Sequence, residues 1–104
     1  MNPETRIQTG IINYLNGQKI LNWRMSGALN LLGFPDVLAC YKGRFVALEV
    51  KTEKYAPTRQ QIKVMSDIKK AGGYAVIVRS IEDVVKVLED IDKDSVKELP
   101  TTNP

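Results

Sequence analysis

The 104-residue sequence contains no histidine and a single cysteine, Cys40. Without an imidazole, every mechanism that needs one as general base or metal ligand is excluded, and carboxylates, lysine, hydroxyls and Cys40 remain to carry any chemistry. One thiol cannot form an intrachain disulfide, and with no histidine beside it a four-ligand zinc site is implausible. Long apolar runs are also missing: no stretch approaches the ~20 residues of a membrane span. The start, Met1-Asn2-Pro3-Glu4, lacks the basic and then apolar pattern of a signal peptide. The expectation is a soluble, cytoplasmic protein in a reducing compartment, with no membrane partner. Internal repeats and low-complexity segments are absent as well.

What is present is the composition of one small globular domain, 43% hydrophobic and 26% charged. The net charge of +3 conceals an asymmetry. Residues 1–80 carry 12 basic and 5 acidic side chains, whereas residues 81–104 carry 3 and 7. A net +7 on the larger part fits a polyanionic partner, nucleic acid before anionic membrane. Many basic domains bind nothing specific, so the charge by itself leaves that reading open too.

Apolar periodicity places a first amphipathic helix after Pro3-Glu4, with Ile7, Ile11, Ile12 and Leu15 inward up to Asn16-Gly17. Lys19 to Ser26 reads as a strand and Gly27 to Gly33 as a loop. Val37–Tyr41 and Phe45–Val50 are two β-rich runs joined by a Lys42-Gly43 turn, a hairpin signal. Thr58 opens a second helix with Ile62, Met65 and Ile68 inward, stopped by Gly72-Gly73. Tyr74 to Val78 is a short strand. A last helix from Ile81, with Val84, Val85 and Leu88 on one face, dissolves into the polar stretch from Asp90. The order αβββαβα predicts an α/β fold, a small mixed sheet flanked by helices, with the Tyr74 strand parallel to its predecessor by the right-handed crossover rule. Residues 1–90 are expected to form a single domain and 91–104 an acidic polar tail.

The hairpin converts spacing into proximity. With a two-residue loop at Lys42-Gly43, Tyr41 opposes Arg44 and Asp36 opposes Glu49; a three-residue loop would break this register. Opposed residues share a face with Cβ atoms about 4.5–5.5 Å apart, where like charges repel. Two positions past Glu49, on the same face, stands Lys51. Two carboxylates with an ammonium beside them suit a hard cation such as Mg²⁺, which takes oxygen ligands and can activate a phosphodiester for hydrolysis. The same spacing also suits an ion-decorated exposed strand with no chemistry at all.

The run Gly33-Phe34-Pro35-Asp36, separated by twelve residues from Glu49-Val50-Lys51, resembles the PD-(D/E)XK nuclease signature. More narrowly it resembles the virus-type replication-repair nuclease domain, VRR-NUC, in its small standalone phage-like form. Glu4 in the first helix, Thr58-Arg59-Gln60-Gln61 opening the second, and Gly72-Gly73 before the next strand extend the match over roughly residues 4–80. The resemblance implies a restriction-endonuclease-like core. Asp36 and Glu49 would be metal ligands with the backbone carbonyl of Val50, Lys51 the catalytic lysine, and Gln61 the glutamine that supports the site, with Gln60 its neighbour in a shifted register. Glu4 matches the acidic residue of the first helix; its alternative role is a favourable charge in a helix's first turn.

Around this core, Arg24, Ser26, Asn30, Lys54, Arg59 and Lys63 are candidate phosphate or sugar contacts, or else a solvated face. Trp23 reads as core rather than as a base-stacking platform, and Cys40 as a small buried filler. The resulting expectation is an Mg²⁺- or Mn²⁺-dependent DNA endonuclease. By the resemblance it is a homodimer acting on four-way (Holliday) junctions. The competing readings are a flap or single-strand nuclease, a noncatalytic DNA-binding module on the same fold, and a basic domain with no dedicated partner.

Overall fold

The computed structural model of the protein describes residues 2–97, with side chains placed as far as Asp94 in the last helix. The chain begins with α1 (Pro3–Gly17), whose start is set by short-range chemistry. The Asn2 side chain accepts a hydrogen bond from the Thr5 N–H at 2.7 Å, and Pro3 occupies the first turn, where a missing N–H costs nothing. Ile11 and Leu15 are fully buried, and Ile7 and Ile12 pack at the margin of the same core.

Four strands follow in spatial order β1 (Leu21–Arg24), β2 (Val37–Tyr41), β3 (Arg44–Val50) and β4 (Tyr74–Val78). The β2–β3 turn is Lys42-Gly43, both in the left-handed region at φ 51° and 79°. That pattern belongs to the two-residue turn whose twist matches a hairpin, and it fixes the register with Tyr41 opposite Arg44 and Val37 opposite Leu48. β3 and β4 pair in parallel and are connected through α3 (Arg59–Lys70), the pairing expected of a strand–helix–strand crossover. The architecture is α/β, a mixed sheet between two helical layers.

The period of two along β3 separates those layers. Val46, Leu48 and Val50 join Val37, Val78 and residues of α1 and α4 (Ile81–Lys97) in the main core. Ala47 points the other way, packing with Met65 of α3 and Ala75 of β4 in a smaller cluster bordered by Leu38, Ile68 and Ile77. Glu49 and Lys51 follow Ala47 in that alternation, on the α3 side.

Several expectations change. The segment expected as a loop between Gly27 and Gly33 contains a one-turn helix, α2 (Ala28–Leu31). Trp23 is not core: it is 50% exposed, because α3 packs against β4 and the neighbouring part of β3 and leaves the β1 end of that face open. Cys40 is exposed for the same reason, and Ile62 lies on the outer side of α3. The last helix continues past Asp90 to Lys97: Ile91 is fully buried, and Asp92 accepts hydrogen bonds from Tyr41 Oη at 3.0 Å and Lys42 Nζ at 2.6 Å. Positions 91–94 of the expected tail are therefore part of the fold, and 98–104 lie outside the described residues. Among the described residues, no helix is long and apolar enough to cross a membrane.

Candidate active site

Asp36 stands at the entrance to β2, behind the buried Pro35 and a tight turn at Gly33. Gly33 has φ +87°, and a Cβ built there would meet the backbone carbonyl oxygen of Gln60 at 2.8 Å. Only glycine admits this approach. The contact presses the loop that carries Asp36 against the first turn of α3.

That first turn is closed by a reciprocal cap. Thr58 Oγ1 accepts from the Gln61 N–H at 3.1 Å, and the Thr58 N–H donates to Gln61 Oε1 at 2.9 Å. With its carbonyl oxygen committed to the cap, the Gln61 amide presents Nε2 to the sheet and donates to Glu49 Oε2 at 3.0 Å. One glutamine thus starts the helix and orients a carboxylate on the adjacent strand.

Glu49 is 2% exposed, the one buried charged side chain among the described residues. Lys51 Nζ stands 3.5 Å from Glu49 Oε2. Glu49 Oε1 is buried with no hydrogen-bond partner. Asp36 Oδ2 accepts from the Val50 N–H at 2.8 Å, and Asp36 Oδ1 accepts a long bond of 3.5 Å from Asn30 Nδ2. Burial, then the charge of Asp36, pushes the Glu49 carboxyl up to about 7 against the opposing pull of Lys51. Burial likewise raises Asp36, partly offset by the Val50 N–H. Two adjoining carboxyls that resist ionising together are short of positive charge.

The donor set fits a hard divalent cation. Two carboxylates interact electrostatically, one of them with a buried unpartnered oxygen, and oxygen is the ligand atom Mg²⁺ or Mn²⁺ takes. Among the described residues there is no cluster of three or more acidic, cysteine or histidine side chains, so such an ion would complete its shell with backbone, water or substrate oxygens.

No family model and no curated protein matches the chain. Solved structures do. One described as a "VRR_NUC domain" superposes with a TM-score of 0.72 at 25% identity, over 86% of this chain and 97% of that one. Another, a "VRR_NUC domain protein", gives 0.71 at 20% identity over 89% and 90%. The chain has the VRR-NUC fold. It is a restriction-endonuclease-like core, the architecture expected from the signature residues.

On this VRR-NUC frame, Asp36, Glu49, Lys51 and Gln61 come together on one face of the sheet. Gln60 is exposed and contributes only its packing against Gly33. Val50 adds its N–H to Asp36 while its side chain fills the main core. Glu4 lines a cavity of about 980 Å³ with Thr52, Lys54, Tyr55 and Arg79, a cavity that none of Asp36, Glu49 or Lys51 borders.

The candidate DNA contacts scatter. Arg24 turns to the opposite side of β1, where its Nη2 donates to Thr9 Oγ1 at 3.0 Å. Lys63 is engaged by Asp67 at 2.8 Å along its own helix. Ser26 and Arg59 are exposed, Arg59 in the first turn of α3. Asn30 supports Asp36 rather than reaching outward, a role no sequence signal announces, because it depends on the one-turn helix α2.

Proposed function

We propose that this protein is a metal-dependent DNA endonuclease of the PD-(D/E)XK type, hydrolysing phosphodiester bonds on four-way junctions as a homodimer. The observation that carries the reading is the buried Glu49, raised by the neighbouring charge of Asp36, with its Oε1 unpartnered and its Oε2 held between Gln61 and Lys51. A purely structural strand face would not bury a carboxyl next to a second one at this electrostatic cost. The solved VRR-NUC structures support the nuclease class.

A bound Mg²⁺ or Mn²⁺ would supply Lewis-acid polarisation of the scissile phosphate. Asp36, Glu49 and the Val50 carbonyl are the groups assigned to hold it. Lys51, with Nζ 3.5 Å from Glu49 Oε2, would set its ammonium against the negative charge that grows on the phosphoryl oxygens. Gln61 keeps the Glu49 carboxylate in one orientation, so little rearrangement is needed on substrate binding. Hydrolysis would be direct attack of water on phosphorus, the new P–O bond replacing the bond to the sugar oxygen, with the water's proton lost to solvent and the departing oxygen protonated from solvent.

A junction has two strands to cut and a chain of this size offers one site, which favours a two-fold pair. Leu31 and Leu32 of the α2 segment, 81% and 59% exposed, supply apolar surface for such pairing.

The test is incubation of a labelled synthetic junction, a flap and a linear duplex with Mg²⁺, Mn²⁺ or EDTA, beside Glu49→Gln and Lys51→Ala. Cutting only with metal, lost in both variants while junction affinity stays within a few fold, is the expected outcome. Preference for the flap would change the substrate class and leave the site in place. A retarded but intact junction under every condition would make the chain a binding module instead.

A further inference from the structure

Trp23 is the one tryptophan of the chain, and half of it faces solvent. Its position follows from the ladder. Trp23 pairs with Leu38, and Leu38 belongs to the α3 side of the sheet, while the next residue, Arg24, reaches Thr9 of α1 on the other side. The indole therefore stands on the face that carries Glu49 and Lys51. The ladder runs on to the site: the Met25 N–H donates to the Asp36 carbonyl at 2.8 Å. Trp23 and Asp36 are diagonal neighbours, a relation that sets Cα atoms about 7–8 Å apart.

We propose that Trp23 is a stacking platform for an unpaired nucleobase of the strand whose phosphate lies at Asp36 and Glu49; this rests on the nuclease reading above. The diagonal separation is on the scale of one nucleotide, so a single residue of DNA could set its base on the indole with its phosphate beside the cation site of Asp36 and Glu49. The neighbouring surface suits a flat apolar ring, since Leu21 and Phe45 are also exposed on this face, 60% and 46%. Residues 1–80, with their net +7, provide the long-range attraction. Branched DNA offers unstacked bases at its crossover, so the contact is compatible with a junction substrate. Stacking on an aromatic ring tolerates any base and contributes substantially to single-strand affinity.

The single tryptophan is its own reporter. Intrinsic emission is followed in EDTA, where no cutting occurs, while a short oligothymidylate or an abasic deoxyribose-phosphate chain of equal length is added at fixed salt. Quenching by the oligothymidylate and none by the abasic chain is expected. Trp23→Ala should weaken oligothymidylate binding about tenfold by anisotropy, and Trp23→Phe should restore it to within about threefold. Equal emission with both chains would overturn the proposal. So would an emission change that follows protein concentration and ignores DNA, which would mean a second copy covers the indole. Cleavage in Mn²⁺ is scored separately: quenching without cleavage would fault the nuclease reading and uphold stacking, and cleavage without quenching would do the reverse.

Discussion

Glu49 concentrates the electrostatic strain of the molecule. Its carboxyl is held near 7 by burial and by Asp36, well above its value in an unfolded chain. A group raised in this way stabilises the fold fully below its unfolded pKa, and that contribution fades as pH climbs through the folded value. In the metal-free protein, stability should therefore fall between about pH 4.5 and pH 7 on account of this residue. Glu49→Gln should flatten that dependence and be the more stable protein at pH 8, by on the order of 1–3 kcal/mol in urea titrations. A variant that keeps the wild-type pH slope would contradict the assignment. Gly33 makes a second residue-scale prediction: alanine there meets both a positive φ and the Gln60 backbone, so Gly33→Ala should cost about 2 kcal/mol or more by thermal melts.

Among the elements, α3 is the one whose start and whose contribution to the site are the same interaction. Gln61→Ala should remove both, lowering stability by about 1 kcal/mol through the lost cap and loosening Glu49. Gln61→Glu can keep the cap yet sets a third carboxylate against Glu49, so it should spare the melting temperature more than alanine does while impairing cleavage as much. The hairpin was legible because Lys42-Gly43 between β-rich runs dictates a turn, the turn dictates the register, and the register places Asp36 near Glu49. Exposure was less legible. Alternation tells which residues of β1 and β2 share a face, and says nothing about how far a helix extends over it; Trp23 and Cys40 are exposed because α3 stops short of them. Helix α4 outran its expected end because Ile91 sits among Asp90, Asp92 and Asp94, where the acidic neighbours hide an apolar stripe that continues from Val84, Val87 and Leu88. Asn30 escaped notice as a support for Asp36 because one turn of helix leaves almost no pattern in a sequence.

At the scale of the molecule, the positive field and the site need not share residues. Arg24 and Lys63, both candidates for phosphate contact, are committed to Thr9 and Asp67. Lys54 and Arg59 stay exposed on the segments that follow β3 and open α3. Replacing both with alanine should lower the slope of log affinity against log salt by about 1 to 2 and leave metal-dependent cutting at saturating DNA nearly unchanged. An unaltered slope would place the phosphate track elsewhere on the surface. The most direct measurement is anomalous diffraction from crystals soaked in Mn²⁺. A peak between the Asp36 and Glu49 carboxylates, absent from Glu49→Gln crystals treated identically, is the predicted result; an ordered pair with no manganese, in crystals that bind it elsewhere, would contradict the account.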